Sequence, residues 1–161
     1  MRSKVNLKPV NKNNWERTLS LSVFPEQQHY VLRVEVSLAK AFVKPEGLTV
    51  FPYIICDEDT IVGYFCIVCD PRSSNNYWIK NFFIDRKYQN KGYASMAVPV
   101  IMEMVKNKFK NCKRVGVKIE PSNKAALNLC AKFDFQNTDK FSEGEVIHIF
   151  ELPREENVTA Q

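Results

Sequence analysis

Apolar and polar positions change period several times along this chain, and each change marks an element. Val5 to Val10 alternates apolar and polar positions and is ended by Pro9 and an Asn/Lys turn, which makes it a short strand candidate. Asn14 stands where a helix cap would, ahead of a helix expected from Trp15 to about Val23 and stopped before Pro25. From Glu26 to Phe42, the apolar positions Tyr30, Val34, Leu38 and Ala41 or Phe42 recur at helical spacing. Pro45-Glu46-Gly47 ends that segment. The period then shortens to that of strands. Thr49 to Cys56 and Ile61 to Cys69 are rich in β-branched and aromatic residues, and the turn Asp57-Glu58-Asp59-Thr60 joins them. Asp70 to Asn76 reads as a polar loop, and Tyr77 to Ile84 as the next strand.

Past a charged loop, Ser95 to Lys110 returns to helical spacing, with Val98, Ile101, Met102, Val105 and Phe109 on one face. An interior proline costs a helix roughly 3 kcal/mol, so Pro99 is expected within the first turns. Val115 to Ile119 is a strand ended by Pro121. Ser122 would cap a helix from Asn123 to Phe133 whose inner stripe is Ala126, Leu129, Cys130 and Phe133. Phe135 to Phe141 and Glu145 to Leu152 form a hairpin about Glu143-Gly144. The order is β-α-α-β-β-β-α-β-α-β-β. It predicts an α/β fold, a mixed sheet with helices on both faces rather than a doubly wound repeat. One domain is expected over residues 1–152, followed by a polar tail, 153–161.

A chain of 161 residues that is 45% hydrophobic and 25% charged suits a single globular domain. The charge of +5 is mild, and no Lys/Arg run tracks a phosphate backbone, so no nucleic-acid partner is expected. No stretch is long and apolar enough for a membrane helix, and the first residues lack the apolar core of a signal peptide. Neither a membrane partner nor export is expected, and the location reads as cytoplasmic. Five cysteines in no disulfide pattern agree with a reducing compartment. Cys66-Ile-Val-Cys69 spells C-x-x-C, but inside a strand those residues point to opposite faces, so buried thiols are the simpler account. The acidic turn Asp57 to Thr60 lacks calcium-loop spacing. No metal is expected.

The stretch with chemistry in it is Asn81 to Ala94, N-F-F-I-D-R-K-Y-Q-N-K-G-Y-A. An apolar run, Phe82-Phe83-Ile84, gives way to a charged loop, and Gly92 and Ala94 open a helix. Strand, loop and helix start in that order present backbone N–H groups at the positive end of a helix dipole, which suits phosphate. Arg86, Lys87 and Lys91 add positive charge. Neither the P-loop string nor G-x-G-x-x-G occurs.

The loop Gln89-x-x-Gly92-x-Ala94 resembles the Q/R-x-x-G-x-G/A signature of the GNAT superfamily of acetyl-CoA-dependent N-acetyltransferases. A second segment, Asn123-x-x-Ala126-x-x-Leu129 followed by Phe133 and Phe135, is similar to that family's N-x-x-A-x-x-L-Y-x-x-x-G-F. The two occur in the right order on the expected element types, and the element order matches the family along nearly all of residues 3–152. Trp78-Ile-x-x-Phe82-Phe83-Ile84-Asp85 is similar to the bacterial spermine/spermidine acetyltransferase branch.

That resemblance implies acetyl-CoA as co-substrate and transfer of its acetyl group to a primary amine of a small molecule, a polyamine among the candidates. It implies that Phe82, Phe83 and Ile84 pair with the pantetheine arm, the Ile84 N–H pointing at the thioester carbonyl. Gln89, Asn90, Lys91, Gly92, Tyr93 and Ala94 would take the pyrophosphate, and Asn123 would lie near the pantetheine. The family's usual Tyr acid is replaced here by Cys130, whose plainer reading is a small buried hydrophobe. Glu120 is the first candidate for general base. Glu26, Glu35, Trp78 and Lys80 are the candidate acceptor-side residues, although Lys80 would repel a polycation. Each carboxylate has the plainer reading of a solvated surface group. Alternatives are a CoA-binding module with little turnover, or an acetyltransferase for antibiotic amines or protein N-termini. A homodimer stands among the partners.

Overall fold

The computed structural model describes residues 4–154 of the chain. Among them, seven strands form one sheet in the order β1-β2-β3-β4-β5-β7-β6. They are β1 (Val5–Pro9), β2 (Thr49–Asp57), β3 (Thr60–Asp70), β4 (Ser73–Ile84), β5 (Arg114–Ile119), β6 (Gln136–Ser142) and β7 (Glu145–Glu151). The α-helices are α1 (Trp15–Thr18), α2 (Val34–Val43), α3 (Tyr93–Lys108) and α4 (Lys124–Lys132). The expected element order and mixed sheet are both present. All neighbouring strands are antiparallel except β4 and β5, which α3 joins as a parallel crossover.

Hydrophobic residues on the two sheet faces make separate clusters. Phe65, Ile67 and Val115 pack with Ile101 and Val105 of α3, while Ile54, Tyr64 and Cys66 pack with Val34 of α2. Strand alternation accounts for this division, because successive residues of β3 must point to opposite faces. Cys66 belongs to one cluster and Cys69 packs against the other, as expected for residues three apart. The helix containing Pro99 keeps its ring in the second turn, seventh of its sixteen residues.

The β4–β5 pairing decides the shape of the site. It covers only Asn76–Trp78 against Arg114–Gly116, after which the strands separate. Two residues explain the parting. Asn81 adopts φ +54°, and the β3–β4 register slips between Tyr64 and Cys66, so β4 is bulged there. The Trp78 ring packs against Gly116, which occupies the last paired position on β5. Beyond Trp78, the β4 edge from Ile79 to Ile84 has no strand beside it on the β5 side.

Several expected elements are corrected. The helix predicted from Trp15 to Val23 is a single turn, and Asn14 does not cap it. Its side chain instead accepts from Asn11 N at 2.8 Å and donates to the Pro9 carbonyl at 3.0 Å. The segment from Glu26 to Phe42 splits into a 3₁₀ turn, Pro25–Gln27, an irregular stretch, and α2. Tertiary bonds override helical propensity there, since Leu32 N donates to Asn81 Oδ1 at 3.2 Å instead of to a helix carbonyl. The expected stripe fails at its end: Phe42 is 89% exposed, and Val34 and Ser37 are the buried pair. β4 starts at Ser73, inside the predicted loop, because Arg72 clamps Asp70 and closes a tight turn. Asn123, not Ser122, caps α4, accepting from Ala126 N at 3.2 Å. Of the expected polar tail, Arg154 is anchored on the carbonyls of Lys106, Phe109 and Cys112, completing the end of α3; residues 155–161 lie outside those described.

Candidate active site

The parted strands open a cleft of about 830 Å³ through the middle of the sheet. Its walls are β4 from Trp78 to Phe82 and the end of β5 from Val117 to Ile119 with Glu120 just beyond it. Val98 and Ile101 of α3 form its base with Ala126, Leu129 and Cys130 of α4. The loop Gln28–Leu32 and the turn Glu143–Glu145 close it from either side. The α4 stripe read from sequence as an inner face is therefore a cleft wall. That is why Ala126 and Leu129 are only half-buried.

At the head of α3, the chain suits an anion. Asn90 and Gly92 take left-handed φ values of +61° and +86°, turning successive amides toward one side. The first-turn amides of α3 have no carbonyl within the helix to meet. A Cβ built on Gly92 would meet nothing within 4 Å, so the loop is open to space at this position. Arg86, Lys87 and Lys91 lie on the same loop. A diphosphate group fits this donor set by charge and by hydrogen-bonding capacity.

Buried side chains hold the loop in place. Asp85, 4% exposed, accepts from Ser22 N and Lys87 N, both at 2.9 Å. Gln89 exchanges amide bonds with Gln27 at 2.9 and 3.1 Å and also donates to the Ile84 carbonyl at 3.0 Å. The Gln89 side chain thus braces the loop from behind. Tyr93 turns away as well, its hydroxyl donating to Asp57 at 2.5 Å.

The remaining sequence candidates divide into those at the cleft and those away from it. Trp78, Lys80, Phe82, Glu120, Asn123 and Cys130 line it. The side chains of Phe83 and Ile84 belong to the two cores, leaving only their backbone to the β4 edge. Glu35 pairs with Arg33 at the start of α2, and Glu26 is exposed on the 3₁₀ turn; neither reaches the cleft. Cys130 has no titratable neighbour that perturbs it, and burial alone pushes its thiol up to about 11.

The cleft mouth also gathers residues that sequence reasoning missed or misplaced. Ser122 Oγ donates to Glu120 Oε1 at 2.9 Å, and Tyr30 Oη lies 3.0 Å from Ser122 Oγ. His29 Nε2 is 3.9 Å from Glu120 Oε2, and the His29 and Tyr30 rings pack with centroids 3.9 Å apart. In the sequence Tyr30 reads as part of an apolar helical stripe, and as a proton donor only if that helix folds over the cleft, and Ser122 reads as a cap. His29 carried no signal, because its partner is 91 residues away in sequence. Charge is divided around the cleft. Glu120, Glu143 and Glu145 stand with Lys118 by β5 and the β6–β7 turn, while Lys40, Glu46 and Lys80 also border a recess of about 110 Å³ beside α2 that Lys44 lines too.

A sequence model of the Acetyltransferase (GNAT) family matches residues 13–135. The chain is 28% identical over 158 residues to a spermine/spermidine N(1)-acetyltransferase of Bacillus subtilis, covering 92% of this chain and 99% of that one. In fold it resembles a GNAT family acetyltransferase from Elizabethkingia anophelis with acetyl-CoA bound, at TM-score 0.65 and 16% identity over 94% of this chain and 100% of the other. It also resembles spermidine N-acetyltransferase from Vibrio cholerae in complex with CoA and spermine, at TM-score 0.66 and 11% identity over 92% and 94% of the two chains.

Proposed function

The chain belongs to the GNAT family of acetyltransferases, and on that footing we propose that its acceptor is a primary amine of a polyamine such as spermine or spermidine. As an N-acetyltransferase it draws on acetyl-CoA. The observation that carries the reading of the site is the parting of β4 and β5: it leaves an unpaired strand edge leading directly from the open anion loop. When bound, acetyl-CoA supplies the thioester that an amine can attack.

The chain's own groups divide the remaining work. The amides from Gln89 to Ala94 take the diphosphate, and the β4 edge from Phe82 to Ile84 aligns the pantetheine arm, with Asn123 beside it. The Ile84 N–H polarises the carbonyl; a fixed donor of this kind contributes about 3 kcal/mol to a transition state that develops negative oxygen. Glu120 accepts the ammonium proton, since an amine with a pKa near 10 is almost wholly protonated at neutral pH. Glu143 and Glu145, on the same side of the cleft, attract the further charges of a polycation. The name and near-complete coverage of the Bacillus subtilis relative support this choice of acceptor.

A second reading follows from Lys40 and Lys80, which border both the cleft and the side recess and with Lys44 outnumber the one carboxylate there, Glu46. An acceptor bearing an anionic group beside its amine would place that group there. Calorimetric titration with acetyl-CoA, then thiol release against spermine, spermidine, ω-amino acids and aminoglycosides, separates the readings. Fastest release with spermine or spermidine is expected. Preference for an ω-amino acid would transfer the proposal to the second reading, and binding without thiol release from any amine would overturn both.

A further inference from the structure

The cleft contains a base candidate but lacks the phenol that the second family segment would place after Leu129; Cys130 stands there. Cys130 is 8% exposed, carries its proton tightly and has no hydrogen-bond partner among the described residues. A proton for the departing sulfur must come from another group on the cleft wall. One phenol, Tyr30, lines the wall together with Glu120 while being linked to it through a hydroxyl.

We infer that Tyr30, Ser122 and Glu120 form a single proton-conducting chain, with Tyr30 as the acid that protonates the leaving thiolate and Glu120 as the base that reloads it. The inference rests on the proposed role of Glu120. The direction of the bonds carries the argument. Ser122 has one hydroxyl hydrogen, and it is donated to Glu120 Oε1 at 2.9 Å. Tyr30 is then the donor in the 3.0 Å bond to Ser122. In this state, the phenol proton points toward a carboxylate. Once Glu120 has taken the ammonium proton, it becomes a donor itself, and both bonds can reverse by hydroxyl rotation. The Tyr30 hydrogen is then free to point into the cleft.

The atoms balance. The ammonium gives one proton to Glu120, and the freed amine nitrogen bonds to the thioester carbonyl carbon. The carbon–sulfur bond breaks with its electron pair on sulfur, which takes the Tyr30 proton. Tyr30 is refilled from Ser122, and Ser122 from Glu120. The new amide nitrogen sheds its second proton to the vacated Glu120 carboxylate, which passes it to water. One proton is released per turnover.

His29 is a positioning residue in this scheme. Its ring packs on Tyr30, and its Nε2 faces the Glu120 oxygen that Ser122 does not occupy. The other charged groups on the surrounding cleft wall are Lys40 on α2, Glu46, Lys80 on β4, Lys118 on β5, and Glu143 and Glu145 at the β6–β7 turn.

Four proteins test the chain: wild type, Tyr30→Phe, Ser122→Ala and Ser122→Thr. The measurements are kcat against pH with spermine, and calorimetric acetyl-CoA affinity. A lost general acid typically reduces turnover by about 10²–10⁴-fold. Tyr30→Phe and Ser122→Ala are expected to lose about 100-fold in kcat with acetyl-CoA affinity unchanged. Ser122→Thr, which keeps the hydroxyl, should recover most of the loss. Wild-type kcat should fall at high pH, and Tyr30→Phe should lack that basic limb. A merely structural tyrosine would not remove it. If both deletions stay within about threefold of wild type, or if Tyr30→Phe keeps the basic limb, the chain is refuted while the acetyltransfer reading stands. A wild-type protein that binds acetyl-CoA but releases no thiol refutes both.

Discussion

The Trp78 ring packs against Gly116, its nearest atom 2.5 Å from where a Cβ would stand. No real Cβ tolerates that distance, so the aromatic ring and the missing side chain are complementary. The contact falls at the last paired register of β4 and β5, at the point where the cleft begins. Lys118 Nζ, 5.5 Å from the ring centroid, flanks the ring on the cleft side.

Gly116→Ala must therefore displace Trp78 or push β5 away. Overpacking of this kind costs about 1–3 kcal/mol. For a chain of this length, each kcal/mol lowers Tm by roughly 2–4 °C. Thermal unfolding should show a decrease of several degrees, and the displaced indole should raise KM for the amine. An unchanged Tm would mean that the ring is free to move aside.

Gly92→Val acts on the anion loop. The position has φ +86°, a region costing a non-glycine residue about 1–2 kcal/mol, and its side chain would enter the open space there. Acetyl-CoA affinity measured by calorimetry should fall at least tenfold. A Kd equal to wild type would show that the diphosphate sits elsewhere.

Cys130→Ala should keep kcat within about threefold of wild type. The thiol is buried and its pKa is pushed up to about 11 by desolvation, so it holds its proton where a leaving thiolate would need one released. Steady-state thiol release with spermine checks this. Loss of turnover with retained folding would return the acid role to Cys130.

Alkaline pH should destabilise the fold through its buried thiols. Burial raises the Cys112 and Cys130 thiols from 9.0 to about 11, and Cys56, Cys66 and Tyr64 shift the same way for the same reason. The unfolded chain releases these protons near pH 9 while the native chain still holds them. Unfolding is then coupled to proton release, and rising pH favours it. The stabilisation is complete below about pH 9 and is lost through pH 11. Tm should decline over that window, and a flat profile would contradict it.

Strand alternation and helical spacing in residues 5–152 determined the element order by themselves, because burying one face leaves a local record every two residues or every three to four. The anion loop was legible for a similar reason: Gly92 and its cationic neighbours are adjacent in sequence, so the local string already contains the geometry. Tertiary structure decided what depended on partners far apart. Trp15–Val23 and Glu26–Phe42 look helical locally, but Leu32 N finds Asn81 and Asn14 binds Pro9 and Asn11. The depth of the cleft depends on Asn81 and on Trp78 over Gly116, none of which announces a parted sheet from its own neighbours. The group at the mouth brings His29 and Tyr30 to Glu120 and Ser122 across some ninety residues. Such a pairing is fixed by the packing of whole elements, and one-dimensional periodicity carries no trace of it.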